Sequence, residues 1–186
     1  MTRASIRLTG TALLATLVIV LDYALKFSGF KIPFPWMPTL KFDFTGIPIV
    51  LSLLMFGPAS ALTTSLVALV AILARSGDLI GATSKFAAEF STAIGLFLGL
   101  KIGGKLSKRY QFFSGTLSSI LFRVVIMSVV NLLLLPFYGM PASTVYVMLP
   151  LIAAFNVAQG AITVLLGAFL HGLVEKRLPT ASKKNG

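Results

Sequence analysis

The sequence predicts an all-α integral membrane protein, a bundle of six transmembrane helices with the N- and C-termini cytoplasmic. Three observations carry this. Hydrophobic residues make up 56% of the 186 residues and charged residues only 11%, where soluble domains hold about a quarter charged residues; mean hydropathy is +0.94. Apolar runs occupy 8–25, 46–57, 59–75, 85–101, 113–136 and 149–173. Several reach the roughly 18 residues that a spanning helix needs, and helix bundles are the default for such runs. The net charge of +11 is also clustered. Arg3 and Arg7 precede the first run. Lys101, Lys105, Lys108 and Arg109 follow the fourth, and Lys176, Arg177, Lys183 and Lys184 follow the last. Lys and Arg collect in cytoplasmic loops, which explains the charge without invoking nucleic acid.

The first run is longer than the 7–15-residue apolar core of a signal peptide, and no small-x-small cleavage site precedes a soluble domain. It is read as a span. Its stretch "TGTALLAT" sets Thr11 and Ala15, and Ala12 and Thr16, four residues apart. Small residues at that spacing let helices approach closely, against a partner or within the bundle.

The segment 26–45 contains "PFPWMPTLKFDFTG". Pro33, Pro35 and Pro38 make it stiff and non-helical. Phe34, Trp36, Phe42 and Phe44 provide an apolar underside for the bilayer surface or for a flat ring. In an extended chain Lys41 and Asp43 share one face, able to pair with each other or to hydrogen-bond a ligand's polar edge. An interfacial aromatic belt is the competing reading.

Residues 47–75 form either one broken helix or a hairpin at Gly57-Pro58. Proline disfavours helix continuation. Only the hairpin keeps the basic 101–109 loop on the side of the basic N-terminus. The second span is then short, about 18 Å for about 12 residues, and is expected to end below the surface under the 26–45 segment. Three loops share that outer side: 26–45, 76–84 and 137–148.

Polar residues within spans are functional candidates by default. Lys85 and Glu89 form an i,i+4 pair, read either as an ion pair at a helix end or as functional. Arg123 lies about ten residues into its run, placed to snorkel toward the headgroups, with ligand contact as the alternative. Asn131 follows it by eight residues, near the same face. Asn156 and Gln159 are one turn apart on the sixth span. Asn131, Asn156 and Gln159 fall at similar depth in the outer half. Converging amides suit a neutral heterocycle better than an ion, while hydrogen bonding between helices is the alternative.

There are no cysteines, one histidine (His171) and five carboxylates. No metal constellation and no nucleophile–base pair is visible, so the chain is read as a non-enzyme. No Walker motif is present, so energised transport would draw its energy from other subunits. The rings of like charge or broken-helix repeats of a solitary channel or carrier are not evident either.

These residues resemble the substrate-binding S component of an energy-coupling factor (ECF) vitamin transporter, most closely its riboflavin-specific group. That group's loop pattern, Leu-Lys-x-Asp-x-Ser-x-x-Pro followed by a Gly-Pro hairpin, is matched by Leu40, Lys41, Asp43, Pro48, Gly57 and Pro58, with Thr45 where Ser is usual. "VVNLLLLPFY" is similar to the fifth-span Asn and Pro-x-Tyr (Asn131, Pro136, Tyr138). "FNVAQG" is similar to the sixth-span Phe-Asn-x-x-Lys, with Gln159 in place of that Lys.

The resemblance implies a cell-membrane subunit that captures riboflavin outside and delivers it inward with a membrane scaffold subunit and two cytoplasmic ATPases. It implies ligand contacts from Lys41, Asp43, Thr45, Asn131, Asn156 and Gln159, with Trp36 and Phe42 as cover. It implies docking through Thr11, Ala12, Ala15 and Thr16. Riboflavin enters as cargo, and no cofactor is implied. Another vitamin or flavin, or a solitary secondary carrier, is the alternative.

Overall fold

The computed structural model describes residues 2–177. Lys183 and Lys184 of the C-terminal basic cluster lie outside the described residues. Six α-helices follow in order: α1 (Arg3–Phe27), α2 (Gly46–Phe56), α3 (Pro58–Ser76), α4 (Leu79–Ile102), α5 (Lys108–Leu134) and α6 (Ala142–Arg177). The helix bundle carries one short ribbon. Between α1 and α2 lie two antiparallel strands, β1 (Ile32–Phe34) and β2 (Met37–Phe42), paired Ile32 to Phe42, Pro33 to Lys41 and Phe34 to Met37. The prolines exclude helix here. They do not exclude a two-stranded ribbon, whose outer edges need no donor.

Among the described residues five helices are long and apolar enough to cross a bilayer. The sixth, α2, is the exception. Its eleven residues rise about 16 Å, and Gly46 through Leu53 are all buried. It touches α1, α3, α4 and α6, so it is a central post within longer helices. That placement explains a helix apolar on every side. Its start lies directly beneath the ribbon.

The turn between α2 and α3 depends on Gly57, whose φ of +89° favours glycine, and on Pro58 at the first helical position. Asp78 caps α4 by accepting the Gly81 N–H at 2.9 Å, and Tyr138 donates to the same carboxylate at 2.8 Å. The Gly81 N–H first, and the Tyr138 hydroxyl second, hold this carboxyl below its ordinary pKa. Helices α4 and α5 pack backbone to backbone. A Cβ on Gly95 would meet Ser119 Cα at 2.8 Å, and one on Gly99 would meet Gly115 Cα at 2.7 Å. Ser119 Oγ donates to Thr92 O across this seam at 2.9 Å.

Arg7 bonds Ser60 at one end of the α1–α3 pair, and Arg75 bonds Asp22 at the other. The two helices are therefore parallel. Arg3, Arg7, the Lys101–Arg109 turn and the end of α6 gather at the end of the bundle away from the ribbon.

On α1 the buried residues are Thr11, Ala15, Val18 and Asp22. Ala12 and Thr16 face outward. The four-residue docking face expected from the sequence is thus divided. Thr11 and Ala15 pack internally, because an i,i+4,i+7,i+11 series defines one face and that face meets α2 and α3.

Gly99→Leu is expected to force α4 and α5 apart and to cost about 1–3 kcal/mol. A thermal melt in mild detergent reads it; a melting point equal to the wild type's would contradict the close-packed seam.

Candidate ligand-binding site

Beneath β2, between α4, α5 and α6, lies a cavity of about 540 Å³. Its size falls within the ordinary range for small-molecule sites, roughly 300–1,000 Å³. Its apolar lining is Leu40, Met127, Leu135, Ile152 and Phe155; its polar lining, interleaved with these along α5 and α6, is Lys85, Glu89, Arg123, Asn131, Asn156 and Gln159.

Arg123 organises the polar lining. It is 3% exposed and does not snorkel to the headgroups as its sequence position suggested. Its Nε donates to Asn156 Oδ1 at 3.0 Å. Its Nη1 donates to Thr92 Oγ1 at 2.9 Å, and its Nη2 to Glu89 Oε1 at 3.2 Å. Ser119, Arg123 and Met127 are buried on one face of α5, and that face meets α4 and α6. A side chain rooted there finds partners nearer than water. Asn156 also donates from Nδ2 to Ile152 O at 2.9 Å, so its amide is held by its own helix and by α5.

Lys85 and Glu89 do not pair with each other along α4. Glu89 pairs with Arg123, and Lys85 makes a close ion pair with Asp43. Tertiary partners displace the local i,i+4 pair because each bridges two elements. Glu89 Oε2 is buried without a hydrogen-bond partner. A Cβ on Gly46 would overlap it, so this oxygen rests against the start of α2, where the helix dipole favours negative charge.

Lys41 and Asp43 part company as well. Asp43 is buried and Lys41 is exposed, because β2 ends at Phe42 and the chain turns down into α2. Asp43 Oδ1 accepts from Thr45 N at 3.1 Å and Thr45 Oγ1 at 2.8 Å. Gln159 brackets the Asp43 backbone: its Nε2 donates to Asp43 O at 2.7 Å, and its Oε1 accepts from Asp43 N at 3.4 Å. Gln159 Nε2 also donates to Thr163 Oγ1 at 3.2 Å. This amide ties the ribbon to α6 and so helps to position it.

Of the residues expected at the ligand, Lys41, Asp43, Asn131, Asn156 and Gln159 line the cavity. Thr45 lies behind Asp43 and outside the lining. Trp36 and Phe42 also lie outside it. Trp36 is 71% exposed at the ribbon tip, edge-on to Phe34 at 5.1 Å. Phe42 and Phe34 pack against Phe155 of α6 at 5.2 and 5.6 Å. These rings seal the ribbon to the bundle and leave contact with the cavity to Met37, Thr39, Leu40 and Lys41 of β2. Asn131 donates to Met127 O at 2.6 Å, leaving its oxygen open to a ligand donor.

Sequence reasoning missed a second ionic group. Asp22 accepts from Arg75 Nε at 2.6 Å and lies 3.7 Å from Lys31, which is 4.0 Å from Asp43. A carboxylate inside the first apolar run, on the face of Thr11 and Ala15, was the available signal.

No family model matches the chain, and no curated protein does. A solved structure does: one described as the S component of a bacterial ECF transporter. It superposes with a TM-score of 0.77 at 24% identity, covering 94% of this chain and 98% of that one. The chain therefore has the fold of an ECF S component.

Two outcomes follow from the site. Arg123→Leu strands Glu89 in the interior and is expected to destabilise by about 3–5 kcal/mol. Adding Glu89→Leu should recover much of the loss in the same thermal melt; a double variant as unstable as the single one would show that the pair is not the issue. Gln159→Ala should raise amide hydrogen exchange in 37–45, because the ribbon loses its bracket. Unchanged exchange there would remove the positioning role.

Proposed function

We propose that this chain is the solute-capturing S component of an ECF-type vitamin uptake transporter in the cell membrane, and that riboflavin or a related flavin is its ligand. The observation that carries the reading is the cavity itself. It lies between a proline-stiffened ribbon and a wall of fixed amides, in a chain with the S-component fold. A flat ring fits the side of Met127, Ile152 and Phe155. Its polar edge meets Asn131, Asn156 and Arg123, whose donors and acceptors are held in place before a ligand arrives. Preorganisation of this kind lowers the entropic cost of binding.

The site is a binding site and holds no nucleophile–base pair. The basic end of the bundle is the cytoplasmic end, and the ribbon faces outside. A membrane scaffold subunit and two cytoplasmic ATPases supply the energy. The exposed pair Ala12 and Thr16 forms the docking face on α1, since Thr11 and Ala15 are unavailable.

The flavin assignment is tested by absorption of the protein purified in mild detergent, and by riboflavin titration of Trp36 fluorescence. A yellow protein or saturable quenching at submicromolar ligand is expected, the quenching reporting on the ribbon tip. Asn131→Ala should weaken binding by about 1–3 kcal/mol by leaving a buried ligand group unpaired. A colourless protein without quenching makes riboflavin the wrong vitamin. A further lack of response to thiamine, folate, biotin and pyridoxine would overturn the vitamin-capture reading. Ala12→Leu with Thr16→Leu should block assembly with the scaffold in a pull-down while ligand binding persists.

A further inference from the structure

A second cavity of about 520 Å³ lies beside the first, on the ribbon side of the bundle. The end of α1, the ribbon, the end of α3 and the start of α4 enclose it. Thr39, Lys41 and Gly81 line both cavities, so the second opens along a common wall with the first. Its character is different. Four cations line it, Lys26, Lys31, Lys41 and Arg75, with Asp78 the one acid in the lining.

The charges do not cancel. Asp22, behind the lining, pairs with Arg75 and Lys31. Asp78 is already engaged by Tyr138 and by the Gly81 N–H. Counting both acids against the four cations leaves an excess of two positive charges. Lys26 and Lys41 have no carboxylate partner among the described residues. Arg75 meets Asp22 through Nε, so its two terminal nitrogens keep their donors. A planar guanidinium and mobile ammonium groups around a polar hollow match the oxygens of a phosphate. Like charges lining one cavity repel one another, and an anion between them relieves that repulsion.

We propose that this vestibule is an anion site that binds a phosphate group, carried either by a solute on its way to the deeper cavity or by the headgroup of an anionic lipid. The site stands on its own cations and does not require the deeper cavity to take a flavin.

The test uses the full chain in nanodiscs of neutral phosphatidylcholine. Inorganic pyrophosphate is titrated at constant ionic strength against chloride, reading the thermal midpoint and the phosphorus-31 linewidth of the pyrophosphate. In a second arm, phosphatidylglycerol replaces part of the lipid. A saturable rise in midpoint is expected. Lys26→Gln, at an exposed and unpaired position, should weaken it about fivefold, and Lys41→Gln similarly. A response to pyrophosphate in the neutral disc assigns the site to soluble phosphates. A response to phosphatidylglycerol alone assigns it to a headgroup. No saturable response in either arm would overturn the proposal, as would responses in both Gln variants equal to the wild type's. The linewidth reads the wild type alone and stays decisive if a variant fails to fold. Riboflavin binding followed in the same samples separates failure of this site from failure of the flavin assignment.

Discussion

The Arg123 guanidinium is held at 3% exposure in the middle of this bundle. Removing such a charge from water costs several kcal/mol, and the rest of the polar interior is arranged to answer that cost. Glu89 supplies the opposite charge, Thr92 and Asn156 supply oxygens, and the Ala88 carbonyl lies at 3.4 Å. The partners come from α4 and α6 while Arg123 belongs to α5. One side chain therefore holds three helices in register around the cavity. The same requirement fixes the rotamer of Asn156 and aims the polar lining before any ligand is present.

The ribbon is secured by a second set of bonds that does not involve Arg123. Gln159 grips the peptide of Asp43, Lys85 pairs with its carboxylate, and Phe155 receives Phe34 and Phe42. All of these converge where β2 turns into α2. Because α2 is short and buried from Gly46 through Leu53, its first turn lies deep enough for the Glu89 carboxylate to rest against it. Ribbon, central post and polar lining thus meet at one point. Asp43 also joins Lys85 to Lys31, and through Lys31 to Asp22 and Arg75, so the ionic contacts continue from the cavity to the vestibule.

Much of this was legible in the chain. The apolar runs, the break at Gly57-Pro58 and the basic clusters follow from composition and local sterics. The amides at Asn131 and Asn156 were visible because polar groups are expensive within apolar runs. The partners were less legible. Lys85 and Glu89 look paired at four residues apart, yet each reaches a different element. Gln159 looks like a ligand contact, and nothing in the sequence shows that its amide also holds the Asp43 backbone. Trp36 and Phe42 look like cover over a ligand, and they seal the ribbon rim. The small residues of α1 do not reveal from their spacing which of two adjacent faces turns inward.

The sequence by itself determined which segments leave water and where the helices stop, because burial of apolar side chains and the missing proline donor act over a few residues. Only the tertiary structure decided who pairs with whom. An ion pair or a buried amide is settled by distances between elements far apart in the chain, such as the 116 residues between Asp43 and Gln159. In a medium without water, each buried polar group takes the nearest partner that the packing offers, whether or not it is the nearest in sequence.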